Sequence, residues 1–346
     1  METIEIKGNS SARSTPSAPS EDIALDGDSG QLRVSRLRDR NVLVPAATLI
    51  ALIGYFGVVS PVFLSLSSFD NILRQMSFLT VLALAGTFVI LIGGIDLSVA
   101  ANATLAGILV ATWIDSLGPT VAITLTIAAG ALVGLVNGLI TIFLKVPSFL
   151  VTLGMMSVLD GISNTISQGG PVTYDSGALQ LLINDSAIPG LPNGTLIALV
   201  LVAILTVLAF GTKYGRHLFA VGSNERAALR VGVRVNRIKV SVFAMAGAIA
   251  AIAGIIFTGQ ASTGVPLGAA PSLLNSIAAI VIGGTALSGG VGGPHRTLLG
   301  ALIIVILGGG MDITAVHPYT QLIVKGVVVV LAVALTIDRR RYGTIR

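Results

Sequence analysis

Residues able to bind, ligate or exchange protons are scarce in this chain. Those that recur do so at helical spacing inside apolar runs. Ser157, Asp160, Asn164, Ser167 and Gln168 fall on one stripe of a helix. Asp96, Ser98 and Asn102 repeat the pattern over a shorter stretch, and Asn275 with Ser276 give a third polar pair. Asn137 and Thr141 lie beside Gly130, Gly134 and Gly138, whose four-residue spacing bares one helix face for a close neighbour. A carboxylate inside an apolar helix is costly and faces a cavity or a partner. Two readings follow: the stripes line a hydrated path for a polar solute, or they are hydrogen-bond glue between helices. The path reading takes Asp96, Asn102, Asn137, Ser157, Asp160, Asn164 and Asn275 as candidate solute-contacting residues.

Covalent and metal chemistry find no support, so no catalytic residue and no metal ligand is expected. The chain has no Cys, and His217, His295 and His317 show no paired metal-ligand spacing. No Gly-rich loop ends in Gly-Lys-Ser/Thr, and none of the five Lys follows a Gly, so no phosphate cradle is present.

The elements that must carry these stripes are membrane helices. The chain has 346 residues, 53% hydrophobic and 11% charged, with mean hydropathy +0.90. A soluble surface needs roughly a quarter of residues charged, so a soluble enzyme, a disordered chain and a nucleic-acid binder are excluded. A span needs about 20 apolar residues. Ten segments qualify, near 43–64, 73–94, 97–114, 120–143, 148–167, 195–212, 240–260, 273–290, 297–314 and 321–337. The expected fold is therefore an all-α integral membrane protein of about ten transmembrane helices.

Charge sets the orientation. With the N-terminus inside, seventeen of the 21 basic residues flank spans on the cytoplasmic face, and Arg74 alone lies outside. Both termini are then cytoplasmic, and the net charge of +5 becomes a topological label rather than a sign of an anionic partner. The expected organisation is a largely disordered cytoplasmic tail over 1–40, a membrane domain over 41–338 and a basic cytoplasmic tail over 339–346. The outer loop 168–194 has no Lys or Arg, whereas the inner loop 213–239 has seven.

Within that inner loop, residues 220–232 read as a short helix. Ser223 or Asn224 caps it, Glu225 sits in the first turn, Arg230 in the last, and Gly232 stops it. Ala227, Ala228 and Val231 give it a small apolar face. So short a helix needs a surface to rest on, either the headgroup layer or a docked cytoplasmic protein. The phrases Leu91–Ser98 and Val281–Ser288 both contain Ile-Gly-Gly and both close on Leu-Ser, which suggests an internal repeat.

Six blocks, in order, carry a resemblance. They are Asn71–Gln75, Gly93–Ser98, Val146–Phe149, Ala220–Glu225, Ile277–Thr285 and Gln321–Gly326. With them the chain resembles the permease subunits of binding-protein-dependent ABC importers, in the ribose, xylose and arabinose branch. The resemblance implies a non-catalytic membrane subunit in the bacterial cytoplasmic (inner) membrane, paired with a second permease around a central path for a monosaccharide or related polyol. It implies an ATPase docking on Gly222, Ser223, Asn224, Glu225, Ala228, Val231 and Gly232. It implies a periplasmic or extracellular solute-binding protein at the outer face. No cofactor would be bound by this chain; ATP and Mg would be used by the partner ATPase. The chain departs from the family pattern at Asp160, where a basic residue is common, at Leu273–Asn275, at Gly308–Gly309 and at Gly292–Arg296. An ion-coupled secondary carrier is the competing reading, because repeats, broken spans and a membrane Asp suit it too.

Overall fold

The computed structural model describes residues 27–336. Residues 1–26, most of the expected N-terminal tail, and 337–346, which include the expected C-terminal tail, lie outside the described residues. The chain divides into a unit ending at Asp39 and one starting at Arg40. The described part of the first, residues 27–39, is helical, so helical backbone covers part of the expected tail. All packing below belongs to the second unit.

Thirteen α-helices are present among the described residues: α1 (Gly27–Val59), α2 (Leu66–Leu91), α3 (Val99–Leu117), α4 (Pro119–Phe143), α5 (Ser148–Ser167), α6 (Gly177–Asn184), α7 (Asn193–Gly211), α8 (Lys213–Ser223), α9 (Glu225–Arg230), α10 (Val235–Ala261), α11 (Ser272–Ile282), α12 (Pro294–Ile313) and α13 (Pro318–Thr336). Each expected span overlaps one of them, that over 273–290 only in its first half. Seven (α2, α3, α4, α5, α7, α10 and α12) are long and apolar enough to cross a bilayer, and three shorter apolar stretches lie in α1, α11 and α13.

Burial sorts these helices. About 78% of the most apolar window is buried in both α2 and α3, against 22% in α5 and 28% in α4. Helices α2, α3 and α10 therefore form the core, while α4 and α5 present broad outward faces. The α4–α10 seam is the most extensive of the bundle. It forms because the glycines of α4 admit the backbone of α10: a Cβ built on Gly138 would lie 3.1 Å from both Phe243 Cβ and Val240 Cα. On Gly134 it would run into the Phe243 carbonyl.

The segment expected as a span over 273–290 is only half helical. Helix α10 ends at Ala261, and Ser262 and Leu267 take left-handed backbone angles (φ 59° each). The chain then folds back into the bundle: the Ala269 amide donates to Thr104 Oγ1 at mid-α3 (3.2 Å). A two-residue strand, β1 (Val172–Thr173), pairs antiparallel with β2 (Thr263–Gly264), with Val172 opposite Gly264. Helix α11 starts beyond this inward segment and stops at Ile282. Gly284, Gly289, Gly290, Gly292 and Gly293 all have positive φ in the turns that follow, so the backbone there cannot continue a helix.

Two ends result. One gathers the α2–α3 and α4–α5 turns, α8, α9 and the 283–293 turns, and it is rich in Lys and Arg. The opposite end gathers β1, β2, α6 and the ends of α3 and α10.

Candidate functional site

Helix α5 packs one face on α3 through Thr152, Leu159 and Ser163, each 1% exposed or less. That face is pinned by the preceding turn, because the Ile95 amide donates to Ser148 Oγ and the Leu97 amide to Thr152 Oγ1 (3.0 Å each). The expected stripe lies on the flank of this face. Ser157 is exposed, while Asp160 and Asn164 are half-buried. The Asn164 amide donates to the Asp160 carbonyl (2.8 Å), and Ser167 Oγ to the Asn164 carbonyl (3.4 Å). The Asp160 carboxylate has no hydrogen bond or ion pair to another described residue. Beside it, a Cβ on Gly154 or Gly161 would meet nothing within 4 Å. Among the described residues, no other helix covers the Asp160 carboxylate on this flank with a hydrogen bond or ion pair.

The other expected path residues are not gathered there. Asn102 (3% exposed) and Asn137 (0%) are sealed in the α3–α4–α10 seam. The Asn102 amide donates to the carbonyls of Gly130 and Gly247 (3.2 Å each). Asn137 donates to Ser98 Oγ (2.9 Å), and Ser98 in turn donates to the Asp96 carboxylate through its hydroxyl (2.7 Å) and its amide (2.8 Å). The side-chain amides of Asn102 and Asn137, expected on a solute path, donate here to backbone and hydroxyl groups inside the seam. Asp96 (7% exposed) closes the same chain of bonds. Asn275 is half-buried on α11, apart from the α5 stripe.

At the basic end the expected short helix is α9, and residues 220–223 close the preceding helix α8. Helix α8 ends at Ser223, and Asn224 turns extended (φ −159°) and caps α9, accepting from the Ala227 amide (3.0 Å). Glu225 and Arg230 occupy the first and last turns, and Gly232 follows at φ 83°. The cap separates the helices because one side chain satisfies an amide that a continuous helix would bond itself. Ala228 is 3% exposed and faces the bundle. Leu229 (54%) and Val231 (78%) are the exposed apolar residues of this surface.

Behind α9 the backbone of three segments meets. The Gly290 amide donates to the Leu91 carbonyl (2.9 Å). A Cβ on Gly289 would lie 2.8 Å from the Gly93 amide and 3.0 Å from the Gly222 carbonyl. Gly93 of the first Gly-Gly phrase therefore lies against Gly289, just past the end of the second phrase, with Gly222 of α8 beside them.

The chain matches the family model described as "Branched-chain amino acid transport system / permease component" over residues 68–333. The chain belongs to this permease family. The permease is 38% identical over 301 residues to the ribose import permease protein RbsC of Bacillus subtilis (strain 168), covering 86% of this chain and 93% of that one. It is 36% identical to the RbsC of Escherichia coli (strain K12), over 82% and 90% of the two chains. It is 33% identical to the galactose/methyl galactoside import permease protein MglC of Escherichia coli (strain K12), over 89% and 96%. No solved structure matches the permease at a significant level.

Two polar clusters of the permease were not anticipated from the sequence. At the end opposite α9, Arg74 binds Asp70 (2.7 Å), the Asn184 side chain (2.7 Å) and the Asn184 carbonyl (3.3 Å). The Asn184 amide reaches the Gly259 carbonyl (2.8 Å), and Gln260 donates to the Arg74 carbonyl (3.0 Å) and Ser77 Oγ (2.9 Å). The isolation of Arg74 as the one basic residue of the outer loops was the signal for this clamp. In the second cluster, Gln321 donates to Asp312 (2.8 Å). One turn along each helix, a Cβ on Gly308 would lie 3.4 Å from Lys325 Nζ. Gly308 thus leaves that ammonium close against α12, whereas Gly309 faces Ile72.

Proposed function

We propose that this permease is the membrane-spanning subunit of a binding-protein-dependent ABC importer in the bacterial cytoplasmic membrane, passing a monosaccharide or related polyol. The observation that carries this reading is the likeness to ribose and galactose import permeases along more than four fifths of the chain. Ten spans with both ends inside suit the alternation of the helices, because the basic end is then cytoplasmic throughout. The open flank of α5 supports a path completed by a second permease subunit, identical or not. A carboxylate left against lipid at mid-span costs several kcal/mol, so Asp160 is best accommodated by a wet interface.

The geometry supports the following mechanism. ATP and Mg are handled by a separate ATPase chain that rests on Leu229, Val231 and the exposed side of α9. Its closure pushes α8 and α9. The push passes through Gly222 to the ends of α2 and the 284–293 turns, which carry α11. A solute-binding protein delivers sugar to the outer face, near α6. Ser157, Asp160 and Asn164 offer hydroxyl, carboxylate and amide groups suited to sugar hydroxyls.

The test is uptake of labelled ribose and of labelled galactose in cells lacking the native permease gene. Asp160→Ala with Asn164→Ala is expected to impair uptake while insertion stays normal. Collapsing the ion gradient with ATP maintained separates the carrier reading: persistence of uptake supports the importer, and its loss overturns it.

A further inference from the structure

The cytoplasmic end holds a cavity of about 490 Å³, within the size range of small-ligand sites. Its polar lining comes from three places. Thr141, Lys145 and Ser148 belong to the α4–α5 turn, Asn236 and Lys239 to the start of α10, and Glu225 to α9. Lys239 Nζ donates to Glu225 (2.7 Å). Lys145 has no hydrogen bond or ion pair to another described residue. The wall thus carries two ammonium groups against one carboxylate. The 20-residue helix α5 begins at Ser148, so its positive dipole end adds to the same side.

The residues that flank this lining in the chain tell what kind of anion fits. Phe143 (71% exposed) and Leu144 (69%) lead directly into Lys145, and Phe149 (45%) and Leu150 (49%) follow Ser148. Exposed apolar residues next to a cationic lining offer acyl chains a place beside a headgroup.

We infer that this cavity is a binding site for a phosphate group, bound by Lys145 and Lys239 with donors from Ser148 and Asn236, and supplied by an anionic phospholipid. A phosphate there competes with Glu225 for Lys239. Occupancy therefore loosens the first turn of α9 from α10. That consequence rests on the reading of α9 as the ATPase-docking helix; the binding itself does not.

The experiment uses purified, delipidated full-length permease in detergent. Native mass spectrometry measures retention of phosphatidylglycerol against phosphatidylcholine, and equilibrium dialysis measures binding of labelled inorganic phosphate. The wild type is expected to retain one phosphatidylglycerol in preference to phosphatidylcholine. Lys145→Gln with Lys239→Gln is expected to weaken that preference at least tenfold. Glu225→Gln frees Lys239 and is expected to tighten it. The exposed single variant Lys145→Gln gives the same reading if the double variant does not fold. Phosphate binding that depends on both lysines without any lipid preference would keep the anion site and assign it to a soluble phosphate. Unchanged lipid preference and unchanged phosphate binding in the lysine variants would overturn the site, as would weaker binding in Glu225→Gln.

Discussion

Gly134→Ala adds one methyl group where α4 meets α10. The new Cβ would collide with the Phe243 carbonyl, and it would lie 2.9 Å from the Phe243 carbonyl carbon and 3.1 Å from Gly247 Cα. All three obstacles are backbone atoms, so no side chain can rotate aside, and α10 must back away. A gap of 0.5–1 Å forfeits roughly a quarter to a half of each dispersion contact along a seam. Overpacking of this kind costs about 1–3 kcal/mol. Because the obstacles are rigid, a loss near the upper end, about 3 kcal/mol, is expected. For a chain of this size that is a fall of roughly 4 °C in melting midpoint. Gly54→Ala in α1 is the control, since its Cβ would meet nothing within 4 Å. The assay is thermal unfolding of both purified variants in the same detergent, followed by near-ultraviolet circular dichroism. Equal melting midpoints for Gly134→Ala and Gly54→Ala would refute the argument that bare backbone sets the distance between α4 and α10.

Further outcomes are expected at other places. Asn224→Ala removes the cap of α9 and should cost about 1 kcal/mol of local stability, read as faster hydrogen exchange over 225–230 and weaker ATPase binding. Thr87→Val leaves the buried Thr297 hydroxyl, 2.8 Å away, without that partner, a loss of about 1 kcal/mol; the double variant with Thr297→Val should recover part of it in the same melting assay. Arg74→Ala should release the end of α6, detected as faster proteolysis between 185 and 191. Cross-linking from Cys placed at Val231 should capture the ATPase, whereas Cys at Ala228 should not, because Ala228 faces inward.

The helices were legible because a bilayer imposes a length and an apolar composition on each span. Even the seam between α4 and α10 was half visible, in Gly130, Gly134 and Gly138, although its partner helix was not. What escaped were features fixed by distant contacts. Nothing local marks α6, whose Asn184 is held by Arg74 from 110 residues away. Nothing local requires the chain to turn back after Ala261, since that path depends on Thr104 receiving the Ala269 amide. The cap of α9 was legible, since Asn224 was one of the two candidates, but α8 was not, because the sequence does not say that a helix already ends there. The polar residues of the spans divide by a rule that composition cannot express. Asn102 and Asn137 sit where three helices close around them, and Asp160 sits on a helix whose flank no neighbour covers.

The glycine meeting point behind α9 has a mechanical meaning. Side chains are the compliant part of a protein, able to change rotamer and absorb a displacement. Gly93, Gly222, Gly289 and Gly290 place backbone against backbone with none between them. Such a joint has no slack, so a small shift of α8 reaches the ends of α2 and the turn below α12 almost undiminished. A displacement of α8 would also reach α5, because the Ile95 and Leu97 amides just past Gly93 are bonded to Ser148 and Thr152 at its start.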